Sequence, residues 1–341
     1  MVNVALIGCG YWGSILMRVL SQVPSARVKW CCDSREEIKD KVKMYLREGN
    51  FCTDIGKILE DDEVQGVVIA TPVESHYALA GEVLRAGKDV FVEKPLAGSV
   101  GEAEELVRLA KETGRVLMVG HTFKYSPSVR KIKQLIDDGE LGEIYFLSSI
   151  RVNLGIHRKD VNVVWDLAAH DFSMFLYWLG EVPMEVGCVG KDSIIKGMPD
   201  VAFISAKFPS GVVSHIEVSW LAPSKVRNTT IVGSRRMVIY SDTDPQEPVK
   251  VFDKGVDFNS AGSFGEYLLT YRTGDIHSPK VEGKEPLRLE MEHFVECIQT
   301  RQKPLSDGED GLNVVRALAM ADLSLKRRGV PVGVDDLEGI E

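Results

Sequence analysis

Within the first dozen residues a short apolar run, Val2-Asn3-Val4-Ala5-Leu6-Ile7, enters Gly8-Cys9-Gly10-Tyr11-Trp12-Gly13, and an amphipathic segment over 14–22 leaves it. Strand, glycine turn and helix in that order are the context in which Gly-x-Gly-x-x-Gly reads as a dinucleotide-binding turn. Gly8 permits the tight turn, Gly10 lets the backbone approach a pyrophosphate, and Gly13 lets the helix sit close to the strand. The free N–H groups and positive dipole end of that helix then face the phosphates. Tyr11 and Trp12, inside the turn, fall among the expected cofactor contacts. A second apolar run over 27–32 ends at Asp33, twenty residues past Gly13. A carboxylate there accepts hydrogen bonds from both ribose hydroxyls and repels a 2′-phosphate, so NAD is expected and NADP disfavoured.

The first third of the chain keeps the same alternation. Runs rich in Val and Ile at 2–8, 28–33, 66–70, 89–92 and 116–120 read as buried parallel strands. Helices are expected between them at 11–22, 35–47, 75–86 and 100–113, with Gly87 and Gly114 placed as C-terminal caps. This succession predicts an α/β fold with a doubly wound parallel sheet. After Ser126 the texture changes. A helix over 128–137 precedes strand-like stretches at 144–152, 184–189, 201–208, 212–219, 229–232 and 237–240. Several alternate apolar with polar residues, as half-buried antiparallel strands do. One helix, 166–179, interrupts them, and 245–283 reads as loops around weak strands. Two closing helices are expected at 288–300 and 308–328.

Composition narrows the partners. At 341 residues the chain suits two domains, and its formal net charge of −9 argues against a nucleic-acid or anionic-membrane surface. No apolar run is long enough to span a bilayer, and the first strand begins too early to leave room for a secretory signal. The six cysteines are scattered with no Cys-x-x-Cys pair, which suits a reducing cytoplasm.

Two charged elements carry candidate chemistry. Phe91-Val92-Glu93-Lys94-Pro95 ends an expected parallel strand at its carboxyl edge, where open α/β sheets place ligands. A lysine there can polarise a substrate hydroxyl beside a nicotinamide; a salt-bridged surface turn is the alternative. In Trp165-Asp166-Leu167-Ala168-Ala169-His170-Asp171, helical spacing puts Asp166 and His170 on one face. Neutral histidine can take a hydroxyl proton while the carboxylate orients the ring or a second hydroxyl, with Asp171 a competing orienting acid. A helix-start acid and a core histidine are the alternative. No third ligand stands at a spacing that would make a metal site.

Together these residues resemble the Gfo/Idh/MocA oxidoreductases, a family that includes glucose–fructose oxidoreductase and inositol 2-dehydrogenase. The resemblance rests on residues 8–13, Ala70-Thr71-Pro72 with His76, Glu93-Lys94-Pro95, the Asp166/His170 spacing, Glu292-His293-Phe294 and the run Lys303 to Gly308. It implies an N-terminal Rossmann domain over 1–122. It also implies a C-terminal α+β domain over 123–341 with a large open, mostly antiparallel sheet, often used in dimers or tetramers, the closing helices being free to pack back on the first domain. Lys94, Asp166 and His170 become the catalytic group, and Thr71, Pro72, His76 and Glu93 line the cofactor. Val163-Val164-Trp165 before Asp166 and Ala168 after it depart from the glycine-rich approach of many relatives, so substrate choice does not carry over. The polar, cationic stretch 151–162 looks like branches that act on nucleotide sugars, such as UDP-N-acetylglucosamine 3-dehydrogenases. Arg151, Arg158 and Lys159 could hold a diphosphate or carboxylate there, or form a solvated basic loop. Asn153, Asn162, His121, Lys124 and Tyr125 are the other expected substrate contacts, unless Tyr125 only fills an inter-domain core.

The expectation is an NAD-dependent dehydrogenase oxidising a secondary hydroxyl of a sugar or nucleotide sugar. Its rivals are an enzyme that recycles retained NAD during glycoside cleavage or internal redox, and a non-catalytic sensor of NAD or sugar.

Overall fold

In the computed structural model, which describes residues 1–46, 49–155, 157, 160–260 and 267–337, the chain divides after Ser126 rather than after residue 122. The first unit comprises Met1–Ser126 and Lys284–Ala319; the second comprises Pro127–Gly283 and the stretch from Met320. Six strands build the first unit's sheet: β1 (Val2–Ile7), β2 (Ala26–Cys32), β3 (Asn50–Cys52), β4 (Gly66–Ile69), β5 (Asp89–Glu93) and β6 (Leu117–Gly120). All pair parallel, in the order β3-β2-β1-β4-β5-β6. The strand order turns back on itself between β1 and β4, and that switch point is where such sheets take dinucleotides. The helices between strands are α1 (Tyr11–Leu20), α2 (Lys39–Tyr45), α3 (Gly56–Leu59), α4 (His76–Arg85) and α5 (Val100–Thr113). Ser99 caps α5 by accepting from the Glu102 amide at 3.3 Å, and Gly114, at φ 63°, ends it in the left-handed conformation. Strand β3 escapes sequence reading because three residues cannot display a period of two. The helix expected from residue 35 opens as a 3₁₀ turn, Glu36–Ile38, before α2.

The second unit holds α6 (Pro127–Asp137), β7 (Ile144–Leu154), α7 (Ala169–Leu179), β8 (Glu185–Lys191), β9 (Val201–Lys207), β10 (Val213–Ser219), β11 (Leu221–Gly233), β12 (Met237–Ser241), β13 (Val249–Ser260), β14 (Tyr267–His277) and β15 (Val332–Gly333). Its nine strands run β14-β13-β12-β11-β7-β10-β9-β8-β15, antiparallel except for the β7–β10 pair. Alternation sorts the faces: on β9, Ala202, Ile204 and Ala206 are buried while Phe203 is exposed. The stretch expected as loops around weak strands, 245–283, contains two long paired strands, β13 and β14. Between residues 269 and 277 only Arg272 is part-buried, so neither face of β14 needs an apolar period. Arg272 ties it across the pair to Asp253 at 3.0 Å and Asp257 at 2.5 Å.

The chain then returns to the first unit as α8 (Pro286–Thr300), and α9 (Gly308–Lys326) follows. Leu287, Met291, Phe294, Val295 and Ile298 of α8 join Val4, Leu6, Val68 and Phe91 in one core. Phe294 meets Phe91 with ring centroids 5.8 Å apart at 59°, a favoured aromatic geometry. Just past α8, Arg301 donates to both oxygens of the fully buried Asp89, at 2.7 and 2.8 Å. That same helix buries Glu290, whose Oε2 accepts from the Thr122 hydroxyl at 2.6 Å. Burial first, and then the nearby Glu93 charge, holds this carboxyl well above its ordinary range.

Two outcomes follow from this packing. A Cβ at Gly13 would stand 1.9 Å from the Gly8 carbonyl oxygen, a backbone atom that cannot swing aside. Gly13→Ala is expected to lose about 1–3 kcal/mol in denaturant unfolding and to weaken NAD binding. Glu290 keeps its proton when folded at pH values where the unfolded chain releases it, so its contribution to stability falls as pH rises above the ordinary carboxylate value. The unfolding midpoint of Glu290→Gln, measured between about pH 5 and about pH 8, should therefore decline less steeply than that of the unaltered chain.

Candidate active site

At the carboxyl end of β1, Gly8 adopts φ 88°, and its amide donates to the Cys32 carbonyl at 2.8 Å. A Cβ there would lie 2.6 Å from the Ala70 oxygen, so the turn packs against the end of β4 only as glycine. Gly10 precedes α1, and a Cβ on it would meet nothing nearer than Arg35 Nη2 at 3.9 Å. The backbone is thus open to a phosphate at the helix N-terminus. Gly8, Gly10, Asp33, Thr71 and Pro72 line one cleft of about 620 Å³. Its size, its bare glycine turn and its acid at the end of β2 fit a dinucleotide. Burial alone would raise the Asp33 carboxyl, but the Arg35 guanidinium and the amides of Cys9 and Arg35 outweigh it and hold it below its ordinary range.

Around this cleft the other expected cofactor residues divide into exposed and built-in groups. Tyr11 is largely exposed at the start of α1. The Trp12 indole N–H donates to Glu93 Oε1, and burial pushes the Glu93 carboxyl up to about 7 against that bond and the Lys94 charge. The His76 ring lies between the Pro95 carbonyl (2.8 Å from Nδ1) and the Thr71 carbonyl (2.9 Å from Nε2). It thereby links the Ala-Thr-Pro and Glu-Lys-Pro segments, a positioning role that its sequence context on a helix could not reveal.

Lys94 is half-buried just beyond β5, and His121 follows β6. His121 is 1% exposed, and neither ring nitrogen has a hydrogen-bond partner among the described residues. Burial, then the charges of Lys124 and Lys94, pushes its pKa down to about 3, so it stands as neutral imidazole. Lys124 is spent on the Leu305 carbonyl at 3.0 Å and on Asp310 at 2.7 Å. Tyr125 is fully buried, its hydroxyl 3.0 Å from His293 Nδ1 and 3.2 Å from Ser306 Oγ. That is the core-filling alternative rather than an open contact.

In the second unit, Asp166 lies within a π-helical turn, Val164–Ala168, that leads into α7; the helix expected to begin at Asp166 starts regularly only at Ala169. Such turns recur at functional sites. Asn162 Oδ1 accepts from the amides of Val164 and Trp165 at 3.0 and 3.2 Å, while its Nδ2 donates to Asp322 at 2.7 Å. Asn162 therefore caps the turn, and its expected substrate role gives way to this structural one. The Trp220 indole N–H donates to Asp166 Oδ2 at 3.1 Å and fixes the carboxylate. His170 follows on the first turn of α7, half-buried.

Arg151 departs furthest from expectation. It is 3% exposed, with Nε 2.8 Å from Asp171 Oδ2 and Nη2 3.1 Å from Oδ1, and Ser149 adds a 2.6 Å bond to the same acid. A fork-to-fork pair buried this way fixes α7 on β7, and the guanidinium is not presented to an anionic substrate. Asp171, for its part, orients Arg151 and Ser149. Asn153 is part-buried on β7. Arg158 and Lys159 lie outside the described residues. Sequence reasoning missed Trp220, Thr122 and Glu290. Their contacts join residues 54 and 168 positions apart, and no local spacing encodes them.

A family model described as "Oxidoreductase family, NAD-binding Rossmann fold" matches residues 2–121, and the same family's C-terminal domain model matches residues 129–239. The scyllo-inositol 2-dehydrogenase (NAD(+)) of Bacillus subtilis is 24% identical over 98% of this chain and 96% of its own. Among solved structures, UDP-N-acetylglucosamine 3-dehydrogenase from Acidithiobacillus ferrooxidans shares the fold at a TM-score of 0.80, with 22% identity over 96% of this chain and 98% of that one. A levoglucosan dehydrogenase in complex with NADH and levoglucosan shares it at 0.83, with 19% identity over 98% of this chain and 99% of that one. With a glycine cradle, an acid at the end of β2 and two models of one family matching residues 2–121 and 129–239, the chain belongs to the Gfo/Idh/MocA family of NAD-binding oxidoreductases.

Proposed function

We propose that this protein is an NAD-dependent dehydrogenase that oxidises a secondary hydroxyl of a sugar or polyol. One observation carries the reading. At the carboxyl edge of the NAD-binding sheet, β5 leads to a half-buried Lys94 and β6 to His121, a buried neutral imidazole whose nitrogens both lack a hydrogen-bond partner among the described residues. A cation steadies an oxygen that is losing its proton, and a neutral imidazole offers a sugar hydroxyl one donor and one acceptor. Bound NAD supplies the nicotinamide that accepts the hydride. The chain's own residues handle the proton. His170 takes it from the reacting hydroxyl, Lys94 stabilises the developing alkoxide, and Asp166, steadied by Trp220, orients the sugar. Removing a hydride and a proton from one carbinol leaves a ketone, so electrons and protons balance without a further reactant.

A nucleotide sugar oxidised at its 3-hydroxyl is the finer form of this proposal. It is supported by the Arg158-Lys159 run and by the fold shared with the UDP-N-acetylglucosamine enzyme. Arg151 adds nothing to it. The curated relatives named as inositol dehydrogenases favour an uncharged polyol in the same role. We also propose a homodimer or homotetramer, for which the exposed Phe146, Val189, Phe203, Val213 and Ile239 of the large sheet supply apolar surface.

The test is NADH formation from NAD with a panel of inositols, hexoses, anhydrosugars and UDP-sugars. Turnover with any of them supports the reading. NAD that survives desalting with no net NADH points to internal recycling, and ligand binding without any turnover points to a sensor. With an active substrate in hand, Lys94→Ala and His170→Asn should each cost about a hundredfold or more in kcat while leaving the NAD Kd within about threefold.

A further inference from the structure

Asp33 is already full. Its Oδ1 accepts from the Arg35 amide at 3.1 Å and from Arg35 Nε at 2.9 Å; its Oδ2 accepts from the Cys9 amide at 2.9 Å and from Arg35 Nη2 at 3.0 Å. A carboxylate offers about four lone-pair positions, so nothing is left for a ribose diol. Two of the four donors are backbone amides, fixed by the glycine turn and by the end of β2. The other two belong to one guanidinium, on a side chain that is 52% exposed and therefore the part that can leave. Arg35 also lines the dinucleotide cleft, and its Nη2 reaches across to the face of Gly10.

We infer that Arg35 sets the selectivity between the two nicotinamide dinucleotides, by occupying the ribose-diol acceptor in the free protein and by answering a 2′-phosphate once displaced. NAD must replace the guanidinium on Asp33 with its own two hydroxyls, so Arg35 acts against it as an internal competitor. NADP carries at the same position a dianion that Asp33 repels. For it, a guanidinium two residues from the acid is a counter-charge with planar, two-pronged donors suited to phosphate. Ser34 and Thr53 line the same cleft and add hydroxyl donors, with Glu74 the acid that opposes them. Arg35 thus narrows the preference for NAD that Asp33 would impose alone. The inference concerns the cofactor and stands whether or not the proposed substrate class is right.

The decisive measurement is the Kd of NADH and of NADPH, by titration calorimetry, on the full chain and on Arg35→Ala and Arg35→Gln, with no sugar present. The two variants should move the ligands in opposite directions. NADH should tighten by about threefold as a half-exposed ion pair is removed, and NADPH should weaken by about tenfold or more as a charge-assisted phosphate contact is lost. Raising salt should weaken NADPH on the unaltered chain more than on either variant. Affinities that fall together would make Arg35 an ordinary adenosine contact and overturn the inference, as would affinities that do not move. Arg35→Gln keeps the side-chain bulk, so agreement between the two variants excludes a folding artefact; disagreement in direction would also overturn the claim.

Discussion

The close seating of α1 on the glycine turn governs the rest of the first unit. Gly13 lies where any side chain would strike the Gly8 carbonyl, and Gly8 in turn lies where a side chain would strike the end of β4. These two missing side chains bring three backbone segments together at the switch point of the sheet. The helix N-terminus then borders a cleft that Asp33 and Thr71 also line. The dipole, the open amides and the acid gain their use from that geometry, because each acts only over the first turn or so of a helix.

Burial of charge separates two kinds of acid in this chain. Asp171 with Arg151 and Asp89 with Arg301 are paired to forked cations, and such pairs fix geometry more than they add net stability. Glu93 and Glu290 are buried against neutral donors, an indole N–H and a threonine hydroxyl; burial raises both carboxyls, and the Glu93 charge adds to the rise at Glu290. The first kind serves as structural bolts holding helices to strands. Of the second kind, Glu93 stands next to Lys94 at the edge of the sheet where the proposed chemistry occurs, and there a nearby negative charge would be felt strongly because little water screens it.

What could be read from the chain alone followed the range of the interaction that encodes it. The parallel strands, their order of succession and the caps at Gly87 and Gly114 are local, and they were legible as buried Val/Ile runs and glycines at φ 73° and 63°. Asp33 was legible because its distance from the turn is set by one helix and one strand. Strand β3 was not, being three residues long, and β14 showed only as a weak strand among loops, because residues 269–277 are exposed on both sides but for Arg272 and carry no alternation to detect. Arg151 and Asn162 misled for a related reason. Both look like ligand groups in sequence, yet each is satisfied by an acid or amide brought in by folding, Asp171 in one case and the amides of Val164 and Trp165 with Asp322 in the other. Trp220, which steadies Asp166, gave no signal at all, since one indole following a strand is an ordinary core residue until its partner is known.

The return of α8 to the first unit bears on how the protein is made. Leu287, Phe294 and Ile298 complete a core that Val4 and Phe91 begin, so the dinucleotide-binding half lacks part of its interior until residue 298 has left the ribosome. Residues 127–283 must be synthesised in between, on the order of ten seconds to half a minute at usual elongation rates. Throughout that interval the nascent sheet keeps an apolar flank waiting for its last helix, and the segment translated second has its own strands complete up to β14 before the segment translated first can close.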